Sequence, residues 1–110
     1  MVVQRYLTKP YLIDGFKFDL RLYVLVNGIS PLRVYLWNDG LARFATVPYE
    51  TPNSKNMGNL FMHLTNYAIN KDSEDFLQDD NDESKGSKRS YTSVLKMMRE
   101  AHGDASVDLM

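Results

Sequence analysis

Three charged side chains alternate along one short stretch, Lys17, Asp19 and Arg21 in "GFKFDLRLYVLV", residues 15–26. Phe16, Phe18, Leu20, Leu22, Val24 and Val26 fill the other positions. Strict alternation predicts a half-buried β-strand, because successive side chains on a strand point to opposite faces. The three charges therefore share the face opposite the apolar one. That row is open to two uses. It can be a solvated sheet face whose cross-strand pairs are worth about 0.2–1 kcal/mol. It can equally be the cationic floor of a site for a phosphate chain or for the acyl-phosphate of an activated acid. Spacing alone favours the solvated face. Tyr23 and Leu25 continue the same face and suggest partial cover, and Arg43 on a neighbouring strand can bring a third cation towards it.

Other residues carry weaker signals. Thr65 and Asn66 set a hydroxyl and an amide inside the apolar run "LFMHLTNYAIN", where buried polar groups must find partners, nearby backbone being the ordinary ones. His63 in that run has no second histidine at metal-ligand spacing, since His102 is far along the chain, so it reads as a satisfied histidine. The acidic stretch "DSEDFLQDDNDE" lacks the central glycine of a calcium loop and reads as a solvated loop. There is no GxxxxGK[ST], GxSxG or GxGxxG pattern, so a nucleotide bound here would be held from a β-sheet.

The elements that must position these residues follow from turn chemistry and period. "VVQRYL" and "PYLIDG" are short apolar pieces, the second closed by the turn dipeptide Asp14-Gly15. The alternating strand ends at Asn27-Gly28 and Ser30-Pro31. "LRVYLW" follows, closed by "NDG", and then "LARFAT". Three strands joined by connections of a few residues predict an antiparallel meander. "VPYETPNSKNMGN" is a surface loop by its prolines and polar clusters. "LFMHLTNYAIN" suits either a strand or a helix, and its HLTN part is assigned to a strand. Residues 72–90 form a charged, mobile loop. From Tyr91, Val94, Leu95, Met98 and Ala101 fall at helical spacing, with Ser90 or Thr92 as N-cap and Gly103 as the stop.

The totals bound the class. At 110 residues, 44% hydrophobic and 25% charged, the chain has the composition of one soluble globular domain. A net charge of −1 gives no overall field for nucleic acid or an anionic membrane, so neither is expected as a partner and any anion site must be built locally. Without cysteine there are no disulfides or thiolate metal sites. No apolar run approaches the roughly 18 residues that span a bilayer. The first residues lack the pattern of a secretory signal, and a cytoplasmic location is expected.

The order of the pieces adds a further layer. "QRYL", "KPYLIDGFKFDLRLYVLV", "PLRVYLWNDGLARFAT", "NLFMHLTNYAINK" and "KGSKR", in that sequence over residues 2–90, closely resemble the tubulin tyrosine ligase-like family, and its polyglutamylase branch in particular. The resemblance implies an α+β chain with part of an ATP-grasp fold: an antiparallel β meander, an acidic loop and a C-terminal helix. Residues 1–90 would be the central part of the domain and 91–110 its incomplete end. It implies that ATP phosphorylates a glutamate side-chain carboxylate on a tubulin tail. The amino group of free L-glutamate then attacks the acyl-phosphate to leave an amide. A glycine-adding ligase or a non-catalytic microtubule-binding remnant is the alternative.

Position by position, the resemblance puts Gln4, Arg5, Tyr6 and Leu7 on a hinge strand lining the adenine. Lys17, Phe18 and Asp19 would lie at the nucleotide, with Lys17 on phosphate and Asp19 on the ribose and phosphate side. Thr65 and Asn66 would contact ATP. Arg21 would face the reaction centre, Arg43 would hold the incoming amino acid's carboxylate, and Ala68 and Lys88 would lie around that substrate. Ala68 stands where some relatives have serine. Magnesium is implied as well, with its ligands expected beyond this chain, as is a further phosphate-binding lysine upstream of Met1. The implied setting is the microtubule cytoskeleton, including the cilium.

Overall fold

The computed structural model describes residues 1–77 and 86–104. Its elements, in chain order, are β1 (Leu12–Ile13), β2 (Phe16–Ile29), β3 (Leu32–Phe44), α1 (Leu60–His63), α2 (Tyr67–Asn70), β4 (Lys88–Ser90) and α3 (Tyr91–His102). The strands form one sheet in the order β1-β2-β3-β4. The α+β class, with an antiparallel sheet followed by a C-terminal helix, is the one the sequence predicts. The chain divides into two compact units, Met1–Phe18 with Phe44–Phe76 and Asp19–Arg43 with Leu77–Met110.

In the first unit, β1 and β2 form a tight antiparallel hairpin that pairs Ile13 with Phe16 and Leu12 with Lys17. Both turn residues have positive φ, 54° at Asp14 and 81° at Gly15. This is the primed two-residue turn whose twist suits a hairpin, and Asp-Gly is the dipeptide that tolerates it. Ile13, Phe44, Ala45 and Met62 are buried here. Phe18 stacks on Phe44 with ring centroids 5.3 Å apart, and Tyr11 meets Phe18 edge-on at 6.2 Å. The 47–59 stretch is a loop as expected, and its asparagines hold it: Asn53 Oδ1 accepts from the Lys55 amide, while Asn56 Oδ1 accepts from that of Asn53.

Two expectations for this unit fail. Residues 1–7 form no strand, so the hinge strand implied for Gln4, Arg5, Tyr6 and Leu7 is absent; no ladder partner satisfies that backbone among the described residues. The HLTN stretch is not a strand either. One helical turn, α1, closes with the Leu64 amide donating to Leu60 O at 2.9 Å, Thr65–Asn66 breaks it, and α2 begins at Tyr67. Each turn is too short to display a helical period, so composition misled the assignment.

In the second unit the two strands expected from "LRVYLW" and "LARFAT" are one continuous strand, β3. "NDG" lies inside β3 rather than between strands. A Cβ on Gly40 would lie 2.5 Å from the Arg21 carbonyl oxygen, so this glycine serves a close backbone approach and not a turn. The apolar residues of β2 and β3 from Leu20 to Trp37 are exposed, Trp37 at 69%, whereas alternation predicted a covered face. β4 pairs with β3 (Leu41↔Ser90, Ala42↔Arg89, Arg43↔Lys88), so Lys88–Ser90 is strand where the charge run predicted loop. The rest of that loop reading falls partly on residues 78–85, outside the described residues.

The C-terminal helix forms as predicted. The Ser90 hydroxyl accepts from the Ser93 amide at 3.1 Å, and Gly103, at φ 81°, ends the helix by donating to Arg99 O at 2.8 Å. Val94 is fully buried, as is Ala42 on β3, while Leu95, Met97 and Met98 are half-buried.

Candidate functional site

The sequence-predicted site residues fall into two clusters, one in each unit.

In the first unit, the Lys17 ammonium donates to the His63 carbonyl oxygen at 2.8 Å and to the Tyr6 hydroxyl at 3.2 Å. It also lies 4.7 Å from the centre of the Tyr6 ring. That carbonyl closes α1, where helical carbonyls lack intrahelical partners and suit a cation. An ammonium has three N–H donors. Two are engaged, which leaves one for a ligand oxygen. Phe18, by contrast, is committed to its stack on Phe44. Gln4, Arg5 and Leu7 are exposed without regular structure, and Ala68 is exposed on α2.

Thr65 is buried and Asn66 exposed. Their positions depend on Asn70, which no motif or spacing singles out. Asn70 is 1% exposed. Its Nδ2 donates to the Leu64 and Asn66 carbonyls at 2.8 and 3.1 Å, while its Oδ1 accepts from the Thr46 amide at 3.1 Å and the Thr46 hydroxyl at 3.0 Å. One amide thus ties the carbonyls on both sides of Thr65 to the end of the strand region. The side chain is fully satisfied, and a satisfied buried amide fixes geometry rather than merely tolerating burial. Burial pushes the Tyr49 phenol up from its ordinary pKa, and the neighbouring Tyr6 side chain adds to the shift.

In the second unit, Arg43 and Asp19 form a forked ion pair. Arg43 Nε donates to Asp19 Oδ1 at 2.9 Å, and Nη2 donates to Oδ2. The bond to Asp19 raises the Arg43 pKa above its ordinary value, against a smaller opposing effect of burial, so the guanidinium stays charged throughout. Lys88 on β4 is the cross-strand partner of Arg43. Residues directly opposite on paired strands present their side chains on one face of the sheet. Two cations therefore share a face of the sheet with one carboxylate, which pairs with Arg43. The Arg43 side chain keeps 28% of its surface accessible. Asp19 occupies the Nε edge, so the Nη1–Nη2 end of the fork is available to a second carboxylate. Arg21 lies exposed, 5.9 Å from the centre of the Tyr23 ring.

Asp39, also unforeseen, lies on the same strand β3 as Arg43. Its Oδ1 accepts from the Gly40 amide at 2.8 Å and from the Thr92 amide at 3.1 Å. A carboxylate on β3 thus caps the first turn of α3, and these amides hold its pKa below the usual value despite some burial. Among the described residues no three His, Cys, Asp or Glu side chains converge to hold a metal ion. Magnesium is assigned no ligand among the described residues. No helix among them is long and apolar enough to cross a membrane.

Comparison with known proteins adds to this geometry. Residues 1–109 match the model of the Tubulin-tyrosine ligase family. Over 104 residues, 94% of the chain, it is 51% identical to the mouse (Mus musculus) protein named Tubulin polyglutamylase TTLL13. It is 54% identical over 107 residues, 96% of the chain, to the Probable beta-tubulin polyglutamylase of Tetrahymena thermophila. Against mouse Tubulin polyglutamylase TTLL6 it is 53% identical over 96 residues, 87% of the chain. The matches span 13%, 9% and 12% of those relatives' own lengths.

Proposed function

The chain belongs to the tubulin-tyrosine ligase family, and from that premise we propose that the protein carrying it is an ATP-dependent ligase that adds glutamate to tubulin. The observation that carries this reading is identity of 51–54% with proteins named polyglutamylases over nearly the whole chain. Tubulin is the partner this implies, and microtubules, those of cilia included, are where it would act.

In the proposed reaction ATP supplies the phosphoryl group that makes an acceptor glutamate carboxylate reactive. The chain's own residues hold and orient the reactants. Lys17, held by the His63 carbonyl and the Tyr6 hydroxyl, offers its remaining N–H to a phosphate oxygen. Arg43, fixed by Asp19 at one edge, offers its other edge to the carboxylate of the incoming glutamate, with Lys88 beside it. Holding that carboxylate orients the amino group for attack on the acyl-phosphate carbonyl carbon. The C–N bond forms as the C–O bond to phosphate breaks. Arg21 is assigned to charge developing on the phosphate as it leaves. Thr65 and Asn66, braced by Asn70, border the nucleotide.

Incubating the whole protein with tubulin, ATP and radiolabelled glutamate or glycine tests this. Glutamate incorporation that requires ATP is the expected result. Incorporation of glycine instead would move the protein to the glycine-adding type, and incorporation of neither would refute the ligase reading.

A further inference from the structure

A hydrogen-bond chain leads from Lys17 through Tyr6 to His63, and for a neutral His63 ring its direction follows from which atoms can only accept. His63 is buried, and its Nε2 lies 3.0 Å from the Asn56 carbonyl oxygen. A carbonyl only accepts, so Nε2 carries the hydrogen. In the neutral ring Nδ1 is then an acceptor. Its partner at 2.8 Å is the Tyr6 hydroxyl, which must donate to it. Having given away its hydrogen, the Tyr6 oxygen is free to accept from the Lys17 ammonium at 3.2 Å. Tyr49 packs edge-on against His63 but sends its own hydroxyl to the Thr8 carbonyl at 3.0 Å, so it does not compete for Nδ1.

The polarity therefore runs Lys17 N–H to Tyr6 oxygen, Tyr6 O–H to His63 Nδ1, and His63 Nε2–H to the Asn56 carbonyl. His63 acts on Lys17 a second time through its own main-chain oxygen, at 2.8 Å. A lysine chain is flexible and loses rotamer freedom when held. Anchoring two of its three donors leaves one direction for the third.

We propose that His63, acting through Tyr6, is a positioning residue that aims the Lys17 ammonium at the ATP phosphates. This rests on the reading above that Lys17 is the phosphate contact. Neither the tyrosine hydroxyl nor the histidine ring needs to touch the nucleotide. The role is distinct from burial alone, because it depends on an acceptor at the Nδ1 position.

Two measurements test it. Long-range proton–nitrogen correlation on the whole protein labelled with nitrogen-15 in histidine reads the His63 tautomer. A hydrogen on Nε2 with Nδ1 as acceptor is expected, and a hydrogen on Nδ1 would overturn the chain's direction. In the whole protein, the KM for ATP and for glutamate is compared across Tyr6→Phe, His63→Leu, His63→Asn and Lys17→Ala. Asparagine places an acceptor oxygen near the Nδ1 position, whereas leucine fills space without one. The expected result is a rise of about tenfold in the ATP KM for Tyr6→Phe and His63→Leu, with recovery in His63→Asn and an unchanged glutamate KM. A larger rise is expected for Lys17→Ala. An ATP KM moved by Lys17→Ala but by neither Tyr6→Phe nor His63→Leu overturns the positioning role alone. Indifference of the unsubstituted protein to ATP overturns the ATP reading and the proposal together.

Discussion

Asp19 holds Arg43 by its side edge: Nε at 2.9 Å from one carboxylate oxygen and Nη2 on the other. The consequence is orientation. A guanidinium gripped at Nε and Nη2 cannot swing, so its Nη1–Nη2 end has a fixed direction beside Lys88. That arrangement suits one further carboxylate.

Arg43→Ala should therefore lower ligation by on the order of 100-fold or more while the ATP KM moves by no more than about twofold. Arg43→Lys should restore little, because a point charge cannot satisfy Asp19 and a second carboxylate in fork geometry. Steady-state kinetics with glutamate and ATP varied separately decides it. An equal collapse of nucleotide affinity would assign Arg43 to the nucleotide instead.

Asp39 links β3 to the first turn of α3, and its depressed pKa makes that link dependent on pH. A carboxylate whose folded pKa lies below its ordinary 3.8 adds stability at higher pH, where it is charged in both states. That contribution is lost as pH falls through the folded value. Asp39→Ala should cost about 1 kcal/mol near pH 7, the scale of a lost helix cap. The difference should shrink as pH falls through the folded value, where protonation removes the charge from both states of the unsubstituted chain. Urea melts of the two chains at several pH values measure this, and a gap constant with pH would refute it.

Gly40→Ala should destabilise the β2–β3 hairpin, because the new methyl would lie 2.5 Å from the Arg21 carbonyl oxygen, a backbone atom that cannot rotate away. Overpacking of this kind costs about 1–3 kcal/mol. Gly58→Ala is the control, since a Cβ there meets no heavy atom outside its chain neighbours within 4 Å. Equal unfolding midpoints for the two variants would show that the strands can separate without penalty.

Some of the site was legible in the order of residues. The Asp14-Gly15 turn, the Ser90 cap and the Gly103 stop were readable because each is a local matter of backbone conformation and a side chain a few residues away. The "NDG" of β3 misled for the same reason: the local signal says turn, while the cause of Gly40 is a carbonyl nineteen residues earlier in the chain. "HLTN" was ambiguous because each helical turn, one before it and one after, is a single turn held by Asn70, whose four hydrogen bonds span from Thr46 to Asn66. No spacing rule links those positions.

The sequence by itself determined the ingredients and the family: alternating Lys17, Asp19 and Arg21, the polar pair Thr65 and Asn66, and a run of segments that identifies a tubulin-tyrosine ligase relative. Only the tertiary structure decided which charges are spent on one another. Asp19 turns Arg43, β4 brings Lys88 opposite it, and His63 with Tyr6 takes two of the three hydrogens of Lys17. The physical reason is that a hydrogen bond or ion pair is set by distance and angle within about 3 Å, and residues far apart in the chain reach that range only when strands and turns have packed.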